Sequence, residues 1–255
     1  MAKNKNILIT GASSGIGEAL AVHYARNGAD NLFICGRNAE RLQKVAEECR
    51  KFGTSVFAET IDVTNRPAVQ NWIEKSNQTA KLNLVIANAG TGTINETAEA
   101  VYNTFNTNIN GVLNTIMPAI ECYKSRPSQT AGDKSLAIVS SIAGYHGLPT
   151  CPAYSASKAC VKAWGEAMRP LLKKQGINLS VICPGFVRSR ITDQNTCPMP
   201  FFMEAPEAAA IIADGIEKNK GIIAFPWPLR FITWLISILP NCLSDFIYGR
   251  LPPKA

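Results

Sequence analysis

Tyr154 and Lys158 stand four residues apart in the stretch PAYSASKA (152–159), among small side chains. On a helix that spacing puts a phenol and an ammonium on one face, about one turn apart. An unperturbed phenol has a pKa near about 10 and is a sluggish proton carrier at neutral pH. A cation held within about 4–6 Å favours the phenolate and draws that value toward neutrality. The pair therefore suits proton transfer at a substrate oxygen, whereas a solvated lysine on a surface helix is the plainer account of the same spacing. A second candidate lies near the start of the chain. TGASSGIG (10–17) follows an apolar run and opens a helical pattern, with Gly11, Gly15 and Gly17 spaced G-x-x-x-G-x-G around Ser13, Ser14 and Ile16. Glycines there permit a tight turn, close backbone approach to a pyrophosphate and close packing of helix on sheet. The free N–H groups of the helix N-terminus then attract the anion.

Metal chemistry finds little support. The eight cysteines (35, 49, 122, 151, 160, 183, 197 and 242) form no C-x-x-C pair, and the chain has two histidines, His23 and His146. No metal site is expected. Free thiols in a reducing cytosol are the expected state. MAKNKNILITG runs straight into a strand pattern, so no leader and a cytoplasmic location are expected.

The elements that must position these groups alternate. Apolar runs at 7–10, 32–35, 55–61, 82–88, 135–141, 179–183 and 221–225 are apolar nearly throughout, as in strands covered on both faces. Helical patterns separate them at 15–27, 39–52, 65–78, 95–124, 153–174 and 206–219. Pro67 and Pro206 suit first turns, and Gly28, Gly53 and Gly176 suit C-terminal caps. Repeated strand–helix–strand units with right-handed crossovers predict an α/β, Rossmann-like doubly wound parallel sheet of about seven strands. With 255 residues, 46% hydrophobic and 18% charged, and no linker or repeat, a single domain over 1–255 is expected. The net charge of +7 is scattered, with no basic stripe or nucleic-acid motif, so no nucleic-acid partner is expected.

The ordered motifs TGASSGIG, IDV with Asp62, ANAG (87–90), NING (108–111), SSIAG (140–144), AYSASK (153–158) and CPGFVRS (183–189) resemble the classical short-chain dehydrogenase/reductase family over about residues 7–225. The resemblance implies that Tyr154 donates a proton to a substrate carbonyl oxygen. It implies that Lys158 lowers the phenol pKa and hydrogen-bonds the nicotinamide ribose, that Ser141 polarises the carbonyl, and that Asn108 holds a water of the proton relay. Independently, Ser141 leaves an apolar run at a strand's C-terminal end, where open α/β sheets place ligands. By the same analogy Asp62 and Val63 flank an adenine, and Asn88, Ala89 and Gly90 form the floor beside a ribose. Pro184, Gly185, Val187 and Ser189 lie toward the nicotinamide, with Ser189 where the family usually has threonine. The polar stretch SRPSQTAGDKS (125–135) is expected to be a surface loop.

The end of the second strand reads LFICGRNAERL. Gly36 stands where NAD-selective members carry an acid, and Arg37 follows with a guanidinium suited to a 2′-phosphate. NADP(H) is therefore expected ahead of NAD(H), with Glu40 pointing elsewhere from the helix. YHGLPTC (145–151), Phe186 and the 194–205 loop are expected to rim a substrate pocket. Phe201, Phe202 and Met203 form either an apolar lid or ordinary packing. Residues 226–255 are an apolar tail whose longest charge-free run, Phe231 to Ser244, is fourteen residues and contains Pro240, short of the ~20 that a bilayer span needs. Its roles rank as pocket flap or subunit contact first and membrane-surface helix second, with Trp227, Trp234, Tyr248, Arg230 and Arg250 suiting the latter.

Together these features predict an NADP(H)-dependent oxidoreductase transferring a hydride between nicotinamide and an apolar carbonyl/secondary alcohol substrate, and assembling as a homo-dimer or homo-tetramer. The alternatives are an NAD-linked dehydrogenase, a membrane-associated lipid ketone reductase and a non-catalytic nucleotide sensor.

Overall fold

The computed structural model describes residues 5–92, 96–126, 133–194 and 198–248. Seven strands run in the order β3-β2-β1-β4-β5-β6-β7, every pairing parallel. They are β1 (Asn6–Thr10), β2 (Asn31–Gly36), β3 (Ser55–Thr60), β4 (Leu84–Ala87), β5 (Ser135–Val139), β6 (Asn178–Pro184) and β7 (Ile222–Phe225). The fold is thus the expected doubly wound, Rossmann-like single domain. Side-chain alternation divides the core between two faces. Ile7, Ile9, Leu32, Ile34, Leu84 and Ile86 meet α1 (Gly15–Arg26), α2 (Ala39–Arg50) and α7 (Ala205–Glu217). Leu8, Phe33, Val85, Leu136 and Ile138 meet α3 (Arg66–Thr79), α5 (Gly111–Lys124) and α6 (Pro152–Lys173). Burial on both faces is why the strands read as continuous apolar runs. Strand β3 is the exception: it lies at the edge and leaves Phe57 exposed, stacked on Phe33.

Helix ends follow local chemistry. Asn38, Asn65 and Thr97 cap α2, α3 and α4 (Ala98–Phe105) by accepting from a backbone N–H in the first turn. Gly28, Gly53 and Gly176 follow helix ends with φ of +83°, +83° and +71°, the left-handed conformation that glycine adopts without strain.

The single helix expected over 95–124 is three stretches. A π-helical turn, Asn106–Asn110, separates α4 from α5 and places Thr107 and Asn108 inside the protein. Such i→i+5 turns concentrate at functional sites. The expected loop over 125–135 falls largely on residues 127–132, outside the described residues.

The order of strands reverses between β1 and β4, so the crevice above their C-terminal ends is the topological switch point. The tail begins with α8 (Trp227–Ser237) and α9 (Asn241–Tyr248), and 249–255 lie outside the described residues. Among the described residues no helix is long and apolar enough to cross a membrane.

Candidate active site

A cavity of about 360 Å³ opens above the C-terminal ends of the strands at the switch point. Its walls include Gly11, Ser13, Ser14, Gly15 and Ile16 after β1, Arg37 after β2, and Asp62 and Val63 after β3. Asn88, Ala89 and Gly90 follow from β4, then Ser141 from β5, Tyr154 and Lys158 from α6, and Pro184, Gly185, Val187 and Ser189 from β6. Of the catalytic and cofactor-binding residues expected from the sequence, Gly17 and Asn108 do not line it.

Gly17 acts beneath the turn. A methyl group there would collide with the Gly11 carbonyl and the Asn88 side chain. Gly11 (φ +68°) has the same constraint, since a methyl would come within 2.7 Å of Ala89 Cα. Asn88 ties the turn to β4 by donating from Nδ2 to the carbonyls of Thr10 (2.9 Å) and Gly11 (3.1 Å). The phosphate-type turn is therefore held by the floor of the crevice, and its helix N-terminus faces the cavity.

Asn108 is completely buried in the π turn. Its Oδ1 accepts from Thr91 N (2.8 Å), and its Nδ2 donates to Thr91 O and Ser157 Oγ (2.9 Å each). The whole amide is thus spent on joining the loop after β4 to α6.

Lys158 is 3% exposed and donates from Nζ to Val139 O at 2.9 Å, so its ammonium is fixed against the end of β5. It lies 5.7 Å from the centroid of the Tyr154 ring. Ser140 supports the same turn of α6 by donating to Lys158 O (2.7 Å). Ser141 caps the short turn Ile142–Gly144, its Oγ accepting from Ala143 N at 3.1 Å and donating to Pro184 O at 3.4 Å, and it lies close enough to the Tyr154 hydroxyl to favour the phenolate.

The electrostatics differ from the spacing argument. Burial pushes the Tyr154 phenol up to about 12, with the Ser141 hydrogen bond opposing the rise. Burial also lowers Lys158 to about 8. Lowering of the phenol by the ammonium was the expectation. The opposite direction follows because desolvation of the phenolate outweighs a cation whose hydrogen bond is directed at a backbone carbonyl. Tyr154 is therefore protonated at neutral pH and Lys158 is cationic.

A stability consequence follows from Lys158. Its folded pKa lies below its usual 10.5, so the folded protein holds that proton less tightly than the unfolded chain. The buried charge costs stability below about pH 8, and that cost fades as pH rises toward 10.5. Relative to Lys158→Met, the wild type is expected to gain roughly 2 kcal/mol between pH 8 and 10, a shift of several degrees in unfolding midpoint. A wild-type-minus-variant difference that is flat across that range contradicts the assignment.

Sequence reasoning missed Arg41, Thr91, Thr107 and Ile191, all on the cavity wall. Arg41 was findable: it sits four residues after Arg37, on the first turn of α2. Its Nε is buried with no hydrogen-bond partner among the described residues, and it faces the same end of the cavity as Arg37. Gly36 matters to this arrangement, because a methyl there would lie 2.9 Å from Ser13 Oγ. Glu40 turns away and pairs with Lys44 at 2.8 Å.

The expected pocket rim is corrected, and of the two readings of 201–203 the apolar lid is not the one observed. Phe201, Phe202 and Met203 are not among the lining residues, nor is Phe186. Met203 packs on the core and bonds Phe186 O from its N–H, while Phe202 lies under the Arg188 guanidinium at 5.1 Å. Near Tyr154 the wall is instead Gly92 and Ile191: a methyl on Gly92 would lie 3.0 Å from Ile191 Cγ2 and 3.8 Å from the Tyr154 ring. Nor do residues 145–151 line the cavity. Tyr145 packs beside Ile142 and Cys183, and Gly147, Leu148 and Pro149 border a separate surface groove. Among the described residues no cluster of His, Cys, Asp or Glu has the makings of a metal site.

The family model "short chain dehydrogenase" matches residues 5–198. An uncharacterized oxidoreductase of Myxococcus xanthus is 36% identical over 253 residues, covering 97% of each chain. A short-chain dehydrogenase from Sphingobium yanoikuyae, solved in complex with NADPH, superposes with a TM-score of 0.77 at 24% identity, over 92% of this chain and 96% of that one. A short-chain dehydrogenase from Mycobacterium paratuberculosis bound to NAD gives 0.72 at 21% identity, over 86% and 93%. These two structures share the fold with this chain.

Proposed function

The chain belongs to the short-chain dehydrogenase family of nicotinamide-dependent oxidoreductases, and on that premise we propose that it interconverts an apolar carbonyl compound and its alcohol with NADP(H). The observation that carries the proposal is the pairing of two hydroxyls, Ser141 and Tyr154, at one end of a cavity whose other end presents two guanidiniums.

The residues fit the cofactor. The glycine turn and the N-terminus of α1 accept a pyrophosphate. Arg37 and the unpartnered Nε of Arg41 accept a 2′-phosphate, for which a planar fork is matched. Gly90 leaves room beside Lys158 Nζ and Asn108 Oδ1, each 3.2 Å from where its Cβ would stand, so Lys158 is placed to hold a ribose hydroxyl. When bound, the cofactor supplies or removes the hydride.

The chain's own groups handle the oxygen and its proton. A substrate carbonyl oxygen placed between Ser141 and Tyr154 accepts from both hydroxyls. The protonated phenol is ready to give up its proton as negative charge develops on that oxygen, and Ser141 steadies the charge. Lys158, cationic below about pH 8, lies on the ring side and stabilises the phenolate left behind. Asn108 positions these groups by fixing the Thr91 loop and α6 to each other. Ile191, packed close to Gly92 beside Tyr154, gives that stretch of the cavity wall an apolar side chain, which favours apolar carbonyl compounds. Assembly as a homo-dimer or homo-tetramer belongs to the same proposal, supported by exposed Tyr102, Met117 and Leu171 on α4, α5 and α6.

The test is a panel of aromatic and aliphatic aldehydes and ketones with NADPH, followed by loss of its absorbance. Carbonyl-dependent oxidation of NADPH is expected, fastest with the apolar members. Tight NADPH binding with no turnover across the panel would instead favour the nucleotide sensor.

A further inference from the structure

More than half of the large hydrophobic side chains exposed among the described residues lie in the tail. On α8 and its C-terminal cap they are Trp227, Phe231, Ile232, Trp234, Leu235 and Ile238; all but Ile232 are spaced i, i+4, i+7, i+8 and i+11, which is one face of a helix. The three rings form a line, with centroids 6.1 Å apart for Trp227–Phe231 and 6.0 Å for Phe231–Trp234. The other side of α8 is anchored: Leu229 packs with Ile142, Val181 and Cys183. On α9, Leu243 and Phe246 are exposed as well.

We propose that α8 and α9 form an interfacial anchor that lays this face of the protein on an anionic lipid surface. Charge selects the occupant. From Asp214 to the C-terminus the sequence has five cations (Lys218, Lys220, Arg230, Arg250 and Lys254) against three acids (Asp214, Glu217 and Asp245). Two of them, Lys220 and Arg230, line a groove of about 540 Å³ at the foot of α8, with Ile211, Ile222 and Ala224 as its apolar walls. Its one acid, Asp214, pairs with Lys218 at 2.6 Å and with Lys220 at 4.0 Å, and no acid pairs with Arg230 among the described residues. A two-fold contact with a second copy would set this patch against itself and bring like charges together. Anionic headgroups meet the cations, while a Trp- and Phe-bearing face sinks to the headgroup boundary. No described helix spans a bilayer, so the contact is peripheral.

The anchor adjoins the catalytic cavity. A methyl on Gly185, a wall residue, would lie 2.9 Å from Pro226 Cδ and 3.1 Å from Leu229 Cδ2. Docking through α8 therefore brings the cavity beside the lipid surface.

The test is flotation of the full chain with vesicles of phosphatidylcholine alone and of phosphatidylcholine mixed with phosphatidylserine, with tryptophan emission read in parallel. Wild type is expected to float with the anionic vesicles and to shift its emission to the blue. Raising salt to about 1 M, where the screening length falls to about 3 Å, should weaken binding. Phe231→Ser/Trp234→Ser and Arg230→Glu should each lower partitioning about tenfold. Phe231 and Trp234 are exposed, so the unfolding midpoint serves as the control for the double variant, and Arg230→Glu is decisive if that variant unfolds. Absence of wild-type flotation overturns the proposal, as does flotation that survives both sets of substitutions. So does a wild-type oligomer that dissociates only in the double-serine variant, because then a second copy covers the face. No turnover is measured, so failure of the reductase assignment leaves the outcome intact.

Discussion

Tyr154→Phe is expected to cut NADPH-dependent turnover by roughly a hundred- to ten-thousandfold, the usual weight of a general acid–base group. NADPH binding should stay nearly unchanged. The substitution removes one oxygen and keeps the ring, so α6 retains its packing and Lys158 its bond to Val139 O. Ser141 alone then hydrogen-bonds the substrate oxygen, and the phenol that would give up its proton is gone. Turnover within about tenfold of wild type would mean that protonation runs through another group. A matching collapse of NADPH affinity would place Tyr154 in cofactor binding and not in proton transfer.

The second large effect concerns the cofactor's far end. Arg37→Ala and Arg41→Ala should each raise KM for NADPH by roughly ten- to a hundredfold, the weight of a charge-assisted hydrogen bond. The NADH values should move little, since that cofactor lacks the phosphate. Arg41 is the more incisive of the two, because its buried Nε is already without a partner among the described residues. Truncation there removes an unsatisfied group, so the free protein should lose no stability while NADPH affinity falls. Equal loss for NADPH and NADH would place both guanidiniums on a part that the cofactors share.

Much of this was legible because a parallel sheet covered on both faces writes itself as apolar runs. Ile7 to Thr10 and Leu32 to Cys35 are strands for that reason, and the glycine turn between them follows from backbone constraints at Gly11 and Gly17. Tyr154 and Lys158 share a helix face as their spacing dictates. The environment of that face was not legible. Proximity is set by spacing, but desolvation is set by everything packed around the pair, and it raised the phenol where the spacing argument had it lowered. The π turn at Asn106–Asn110 was equally hidden, since one inserted residue leaves the helical pattern on either side intact. Asn108 lies in that turn and is completely buried. Arg41 carries no motif that marks it, since it lies beyond the strand end, in the first turn of α2. The aromatic loop over 201–203 misled because apolar residues at a rim and apolar residues packed down look alike in sequence. Met203 is packed on the core, and Phe201 and Phe202 stand outside the cavity.

The central claim is that Ser141, Tyr154 and Lys158 make this crevice a place where a carbonyl is reduced, beyond binding a nucleotide. The most direct measurement is the stoichiometry of a single reaction: alcohol formed against NADPH consumed, for an apolar ketone, by wild type. Equal amounts are predicted, with neither accumulating in Tyr154→Phe. NADPH bound tightly at the crevice while no alcohol forms, under conditions where the fold is intact, would contradict it.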